Sequence, residues 1–368
     1  METLEDKDTG DPAHALLGAQ SASHSSNVTR SNSVSTAASS LANLMVNDED
    51  DPENFPDPNL PYHQVVTTEE HGTGIIAARR IPAGTLIISE PPLLVIPESL
   101  EKDPSAISDA VKTLPKYFRK NFFALFNAKP PHIELATGIY NSNCYDIRVF
   151  APTTGGSCVG ATSSRLNHSC IPNVCFSYTL PDQLISGQLS HLNEEDLEEA
   201  RSKGLIEFRA IRSISKGKEL LSNYEKHIFA SRKLRMQRLK QGYGFDCMCE
   251  ACAPQSSFWE KSDERRKMMA ELVKKGARIE KEWEARRDLD MCVKAKEVLV
   301  ELETLLVKEG LMYTPLTNCY KSLAKWAGRV GEEVGRRQWL RKELEVVERC
   351  FGRGSERAKR LRAELETE

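Results

Sequence analysis

No stretch of this chain approaches the roughly 20 consecutive apolar residues that a membrane-spanning helix needs. The opening residues METLEDKDTG also lack the basic and apolar regions of a secretory signal. The first absence excludes a helical anchor, and the second points to the nucleus or cytoplasm as the expected compartment. In a reducing compartment the ten cysteines are expected as thiols or metal ligands rather than disulfides. The sequon at Asn27, Val28 and Thr29 is then expected to stay unmodified. A surplus of positive charge is lacking too. The formal net charge is −3 and the pI about 6.3, which argues against a broad electrostatic grip on nucleic acid.

Residues 1–57 are poor in aromatics and rich in Ser, Asn, Ala and Asp. They offer too little apolar area to offset chain entropy, so a disordered tail is expected there. An apolar spot from Leu41 to Val46 is the one place in it that suits a short docking helix.

From Tyr62 the texture changes. Gly74–Ala78 and Thr85–Ile88 read as short strands around a turn at Pro82–Gly84. Asp103–Asn127 has helical spacing at Ile107, Val111, Leu114 and Phe118, and Pro130–Pro131 ends it. Strand-like runs return at Tyr145–Phe150, Val174–Tyr178 and Leu205–Ile211, with a charged helical or looped insertion at Asn193–Lys203. Many short strands with few helices between them indicate a β-rich α+β fold, not an alternating βαβ sheet. Beyond Phe258 the pattern is long helices. Met268, Leu272, Ala277 and Ile279 mark one face, and Val293, Ala295, Val298, Leu299, Leu302 and Leu306 another. Trp339, Leu340, Leu344 and Val347 mark a third, giving a helical domain of about four helices.

Four segments carry candidate chemistry. Cys247, Cys249 and Cys252 have CxCxxC spacing, which lets three thiolates converge on one zinc. A closed structural site needs a fourth ligand, for which Cys144, Cys158, Cys170 and Cys175 are upstream candidates. Arg165-Leu-Asn-His-Ser-Cys-Ile-Pro-Asn173 interrupts the β-rich core with polar groups. Asn167 and His168 could present fixed donors and acceptors or sit in a satisfied turn. Gly72-Thr73-Gly74 precedes a strand and permits close backbone approach to a ligand, though GxG alone is a weak signal. Gly217-Lys-Glu-Leu-Leu-Ser-Asn-Tyr224 is a turn and strand ending in a tyrosine, a residue that by itself is more often core than catalyst.

In this order, the four segments resemble the SET domain family of protein lysine methyltransferases. That family runs from a GxG strand through RxxNHSCxPN and GEExxxxY to a post-SET CxCxxC. The resemblance covers roughly residues 62–253. It is strongest to the SET-and-MYND group and its fungal relatives, because Asn143-Cys-Tyr-Asp-Ile147 is similar to that group's NSFxI segment. That group's cysteine-rich MYND finger is missing, since Pro91–Tyr140 holds no cysteine. Lys218 stands where the pattern has its first acid, at a turn position of little consequence.

The resemblance implies a β-clip SET fold, with small sheets around a pseudo-knot. The domain would span residues 58–245 with a helical insertion at about 94–140. A post-SET zinc loop at 246–253 and a helical domain at 254–368 would follow. It implies transfer of a methyl group from S-adenosylmethionine to the ε-amine of a protein or peptide lysine, histone or otherwise. Gly72, Gly74, Asn143, Asn167, His168 and Tyr224 would hold the cofactor. Tyr224 would be the catalytic tyrosine, and Tyr243 and Phe245 would line the substrate channel. Cys170, Cys247, Cys249 and Cys252 would bind one structural zinc, with Cys158 and Cys175 as competing ligands. Cys144, Cys292, Cys319 and Cys350 would be ordinary thiols. The alternative reading is a SET scaffold that works as a protein-interaction module. A nucleic-acid reader built on the cysteines lacks paired-finger spacing.

Overall fold

The computed structural model describes residues 61–68, 72–152, 155–184, 190 and 193–367. The expected tail at 1–57, with its Leu41–Val46 segment, lies outside the described residues. Four small sheets and a set of helices make an α+β architecture. Strands β1 (His63–Thr68) and β2 (Gly72–Ala77) pair antiparallel. Strands β3 (Leu86–Glu90), β8 (Val174–Thr179) and β9 (Leu205–Ala210) form an antiparallel sheet with β9 in the middle. Strands β4 (Leu94–Ile96), β5 (Tyr145–Asp146) and β6 (Ser157–Val159) form another around β6. The fourth sheet is a two-residue parallel pairing of β7 (Asn167–His168) with β10 (Leu221–Ser222).

The insertion between β4 and β5 holds three helices, α1 (Pro104–Thr113), α2 (Lys116–Phe123) and α3 (Leu135–Asn143). Asp103 caps α1 by accepting from the amides of Ser105 (2.9 Å) and Ala106 (3.3 Å), and Pro104 occupies the first turn. The spacing predicted one helix from Asp103 to Asn127. Two form instead, because Pro115 pushes Leu114 out of helical geometry and ends α1. Ile107, Val111, Phe118 and Phe122 then share a core with Leu94, Ile96, Ile139 and Tyr140. The run Tyr145–Phe150 is likewise only a two-residue strand. Beyond it the chain turns, with the amides of Phe150 and Ala151 donating to the carbonyl of Ile147. The charged insertion after β8 ends in α4 (Glu194–Lys203), capped by Asn193.

Strand β8 alternates between two cores. Val174 and Tyr178 face the sheet core with Ile206 and Phe208, while Cys175 faces a second core built by the C-terminal helices. Those helices follow α5 (Arg232–Tyr243). They are α6 (Phe258–Arg286), α7 (Leu289–Glu309), α8 (Thr314–Arg329), α9 (Glu333–Phe351) and α10 (Glu356–Glu366), five rather than four. Helix α9 packs on β8 and β9, so the helical region leans directly against the central sheet. Two predicted faces are corrected in register. On α6 the buried methionine is Met269, Met268 being exposed, and on α7 Val293 is exposed while Met291, Cys292, Ala295 and Val298 are buried.

Helices α6 and α7 are pinned by a buried ion pair. The Glu309 carboxylate accepts from Arg266 Nε (2.7 Å), Arg265 Nε (2.7 Å) and Ser262 Oγ (2.5 Å), with Glu309 fully buried and Arg266 nearly so. Removing one partner of such a pair leaves an unmatched buried charge. Glu309→Ala is expected to lower stability by about 3–5 kcal/mol. Glu280→Ala, at a part-exposed cluster with Lys325 and Arg329, is expected to cost about 1 kcal/mol or less. Urea titration of the two variants checks the contrast.

Candidate active site and metal centre

The site is assembled where β7 and β10 cross. Leu221 pairs with Asn167 and Ser222 with His168. Beyond the strands, the Ser169 amide donates to the Ser222 carbonyl (2.8 Å) and the Asn173 amide to that of Leu221 (3.0 Å). The Asn173 side chain closes the crossing. Its Nδ2 donates to the Glu219 carbonyl (2.8 Å) and its Oδ1 accepts from the Leu221 amide (2.7 Å). Both halves of a buried carboxamide are thereby satisfied.

Asn167 Nδ2 donates to Glu219 Oε1 (2.8 Å) and to the Thr73 carbonyl (3.4 Å), tying β2 to the crossing. Gly74 packs tightly against this corner. A Cβ there would lie 2.7 Å from Glu219 Oε1 and 2.8 Å from Asn167 Nδ2. Gly72 has open space around it but a φ of +69°, which disfavours any side chain.

His168 Nδ1 accepts from the Tyr224 amide at 3.0 Å. That amide can only donate, so in the neutral ring the proton sits on Nε2, which faces Cys170 Sγ at 3.4 Å. One imidazole therefore links the tyrosine backbone to the first cysteine. The Tyr224 hydroxyl donates to the Leu166 carbonyl. Burial, helped by the charge of Glu219, pushes the Tyr224 pKa up, so the group is a phenol at neutral pH. Burial does the same to Tyr243, reinforced by Cys144 and Tyr224.

Aromatic rings gather around Tyr224. Its centroid lies 4.8 Å from Tyr243, 5.2 Å from His168 and 6.5 Å from Phe245. Tyr243 ends α5 and Phe245 follows the left-handed Gly244 (φ +78°), which turns the chain back towards the crossing. The insertion reaches the same place. Lys129 Nζ donates to the Gly242 carbonyl at 2.6 Å and lies 5.7 Å from the Tyr243 ring centre. Burial pulls the Lys129 amine below the usual lysine range. Asn143 is held close by the insertion, its Nδ2 donating to the carbonyls of Phe126 (2.7 Å) and Ile139 (2.6 Å).

The loop after Phe245 brings Cys247, Cys249 and Cys252 to Cys170. The four sulfurs all lie within 4.8 Å of one another, and Cys170 and Cys252 are 3.6 Å apart. Sulfurs around a tetrahedral zinc, at about 2.3 Å each, would stand about 3.8 Å apart, so the group fits a metal. Cys158 sits in the sheet core and Cys175 in the helical core, apart from this group. None of the ten cysteines is in a disulfide. Sequence reasoning gave no role to Asn173, Glu219 or Arg235. The first two stand within the quoted motifs. Arg235 belongs to an α5 stretch with no motif to mark it.

The SET domain family matches residues 72–225. Histone-lysine N-methyltransferase Set5 of Schizosaccharomyces pombe is 31% identical over 209 residues, 56% of this chain and 56% of that protein. A SET domain-containing protein of Acanthamoeba polyphaga mimivirus is 26% identical, over 51% of this chain and 76% of that one. N-lysine methyltransferase SMYD2-B of Xenopus laevis is 26% identical over 40% of this chain and 28% of its own length. The chain thus spans about half the length of the yeast protein. Residues 72–225 are thus similar to SET domains, and two of the relatives that match parts of this chain are named lysine methyltransferases.

Two outcomes follow from the geometry. Gly74→Ala is expected to lower stability by about 1–3 kcal/mol through overpacking against Asn167 and Glu219, read as a fall in Tm. Tyr224 and Tyr243 hold their protons more tightly folded than unfolded. Their contribution is complete below the free-tyrosine pKa of about 10 and is lost as pH rises beyond it. Phenolate absorbance of these rings is expected to appear only above that pH and together with unfolding.

Proposed function

We propose that this chain transfers a methyl group from S-adenosylmethionine to the ε-amine of a lysine in a protein, with one structural zinc closing the site. The observation that carries the reading is convergence. Asn167, His168, Tyr224, Tyr243 and Phe245 and four cysteines, drawn from three separate segments, meet in one corner. The names of the yeast and frog relatives support the same reaction class.

The cofactor supplies an electrophilic methyl on a sulfonium. In this reading Gly72, Gly74, Asn143, Asn167, His168 and Tyr224 bind it. Both ring nitrogens of His168 and the Asn143 Nδ2 already face protein atoms. Those two residues would therefore contribute mainly through backbone and shape. The incoming lysine must be neutral to attack, although a free lysine has a pKa of about 10.4. The aromatic walls of Tyr224, Tyr243 and Phe245 supply a poorly solvated channel that favours the neutral amine. Lys129 experiences that effect at the channel's edge. Tyr224, kept a phenol, orients the amine through its oxygen and stabilises the charge that develops during transfer.

Zinc in this reading is structural, since four cysteines fill the coordination and leave no position for a reactive water. It fastens the loop carrying Phe245 and Cys247–Cys252 onto Cys170. The substrate is a lysine-bearing protein, with histones one candidate class. The compartment is the nucleus or cytoplasm, where ten cysteines outside any disulfide are compatible with reducing conditions.

The test is incubation of the full chain with a proteome and isotopically labelled S-adenosylmethionine, read by mass spectrometry. Labelled lysines are expected, and Tyr224→Phe is expected to reduce labelling about 100-fold or more while keeping one zinc per chain. Absence of labelling on any protein, with cofactor binding intact, would favour the interaction-scaffold alternative.

A further inference from the structure

Arg235 on α5 is fully buried against the cysteine cluster. Its Nε donates to Cys170 Sγ at 3.3 Å. Its Nη2 donates to Cys252 Sγ (3.7 Å) and to the Ala251 carbonyl (3.3 Å), and its Nη1 to the Ala230 carbonyl (2.6 Å). A guanidinium cannot shed its proton in a protein. A buried one must therefore find a negative charge or destabilise the fold by several kcal/mol. Among the described residues no carboxylate is in ion-pair contact with Arg235. Its neighbour Arg266, which donates from Nη2 to the Cys170 carbonyl (2.8 Å), is already matched by Glu309. The counter-charge available to Arg235 is on the sulfurs.

Four thiolates around a divalent cation leave a net charge of −2, and this one is enclosed by protein, with only Cys249 partly exposed. We propose that Arg235 is a positioning residue for the metal centre. It acts as the built-in counter-ion of a tetrathiolate zinc and decides how firmly the metal, and hence the loop bearing Phe245, is retained. The fork geometry matters as well as the charge. One planar group spans a sulfur from each of the two converging segments, Cys170 and Cys252, and a carbonyl beside the latter, which a lysine ammonium could not do. These charge-assisted bonds draw electron density from two of the four sulfurs. They leave Cys249 as the unprotected side from which a chelator or oxidant would open the site. This inference rests on the metal reading of the cysteine cluster but not on the methyl-transfer reading.

The experiment compares the full-length chain with Arg235→Met, Arg235→Lys and Lys233→Met, the last removing an exposed cation from the same helix. Zinc content is measured first, then the rate of zinc loss to a chromogenic chelator. The sulfur-to-metal charge-transfer band of the cobalt-substituted chains is recorded alongside. Arg235→Met is expected to release zinc about 10–100-fold faster and to shift the cobalt band to lower energy. Arg235→Lys, which keeps the charge, is expected to fall between it and the parent, and Lys233→Met to match the parent. If Arg235→Met does not fold, Arg235→Lys carries the test. A lysine variant that equals the parent in both release rate and band position overturns the proposal, as does a folded Arg235→Met that does so. A parent chain that binds no zinc overturns the metal reading and the proposal with it. A parent that holds zinc but methylates nothing leaves the role of Arg235 to be decided by these rates.

Discussion

The site depends on one sulfur meeting three others. Cys170 belongs to the segment that crosses β10, and Cys252 lies 82 residues further along the chain. Between them the backbone completes β8, α4, β9, β10 and α5 before returning. Bringing them together closes a long loop, and its entropic cost must be met by contacts made on arrival. The proposed divalent ion would be one such contact. Others are the histidine spanning Tyr224 and Cys170 and the arginine spanning Cys170 and Cys252. Remove the meeting point, and Phe245 no longer has a fixed place beside Tyr224.

The polar groups around this point are arranged in successive layers, each satisfied by the next. Asn167 is held by Glu219, and the backbone carbonyl of Glu219 by Asn173. Cys170 receives Arg235 at its sulfur and Arg266 at its carbonyl, and Arg266 in turn meets Glu309 at the end of α7. The helical region is thereby linked to the site through buried charge as well as through the packing of α9 on the central sheet. Such networks rigidify only when every member is paired. This gives a physical reason for Glu309, far along the chain, to influence the loop that bears the cysteines.

The Lys129 contact adds the insertion to the same assembly. Its amine caps the Gly242 carbonyl at the C-terminal end of α5 and lies near the face of Tyr243. The aromatic group is thus bounded by the insertion on one side and the cysteine loop on the other, with the β7–β10 crossing beneath. The partly buried tyrosines gathered there keep their hydroxyls protonated at neutral pH.

The family resemblance, the three-cysteine loop, the tyrosine just after β10 and the α+β class were legible in the sequence, whereas the residues alone left the fourth sulfur open among Cys144, Cys158, Cys170 and Cys175. The legible features follow from local motifs and residue types, which survive without knowledge of contacts. The sequence misjudged what depends on neighbours. Helix α1 ended at Pro115 instead of running on, because the residue before a proline is forced out of helical geometry. The α6 and α7 faces shifted by a residue or two, because 3.6-residue periodicity leaves register open when apolar residues are adjacent, as at Met268–Met269 and Cys292–Val293. Only the tertiary structure decided that both His168 nitrogens are used within the protein and that Gly74 packs against Asn167 and Glu219. It also decided that a motif-free arginine on α5 faces the sulfurs. Each of these is set by atoms far apart in sequence, and side-chain direction after a long loop is not written in any local pattern.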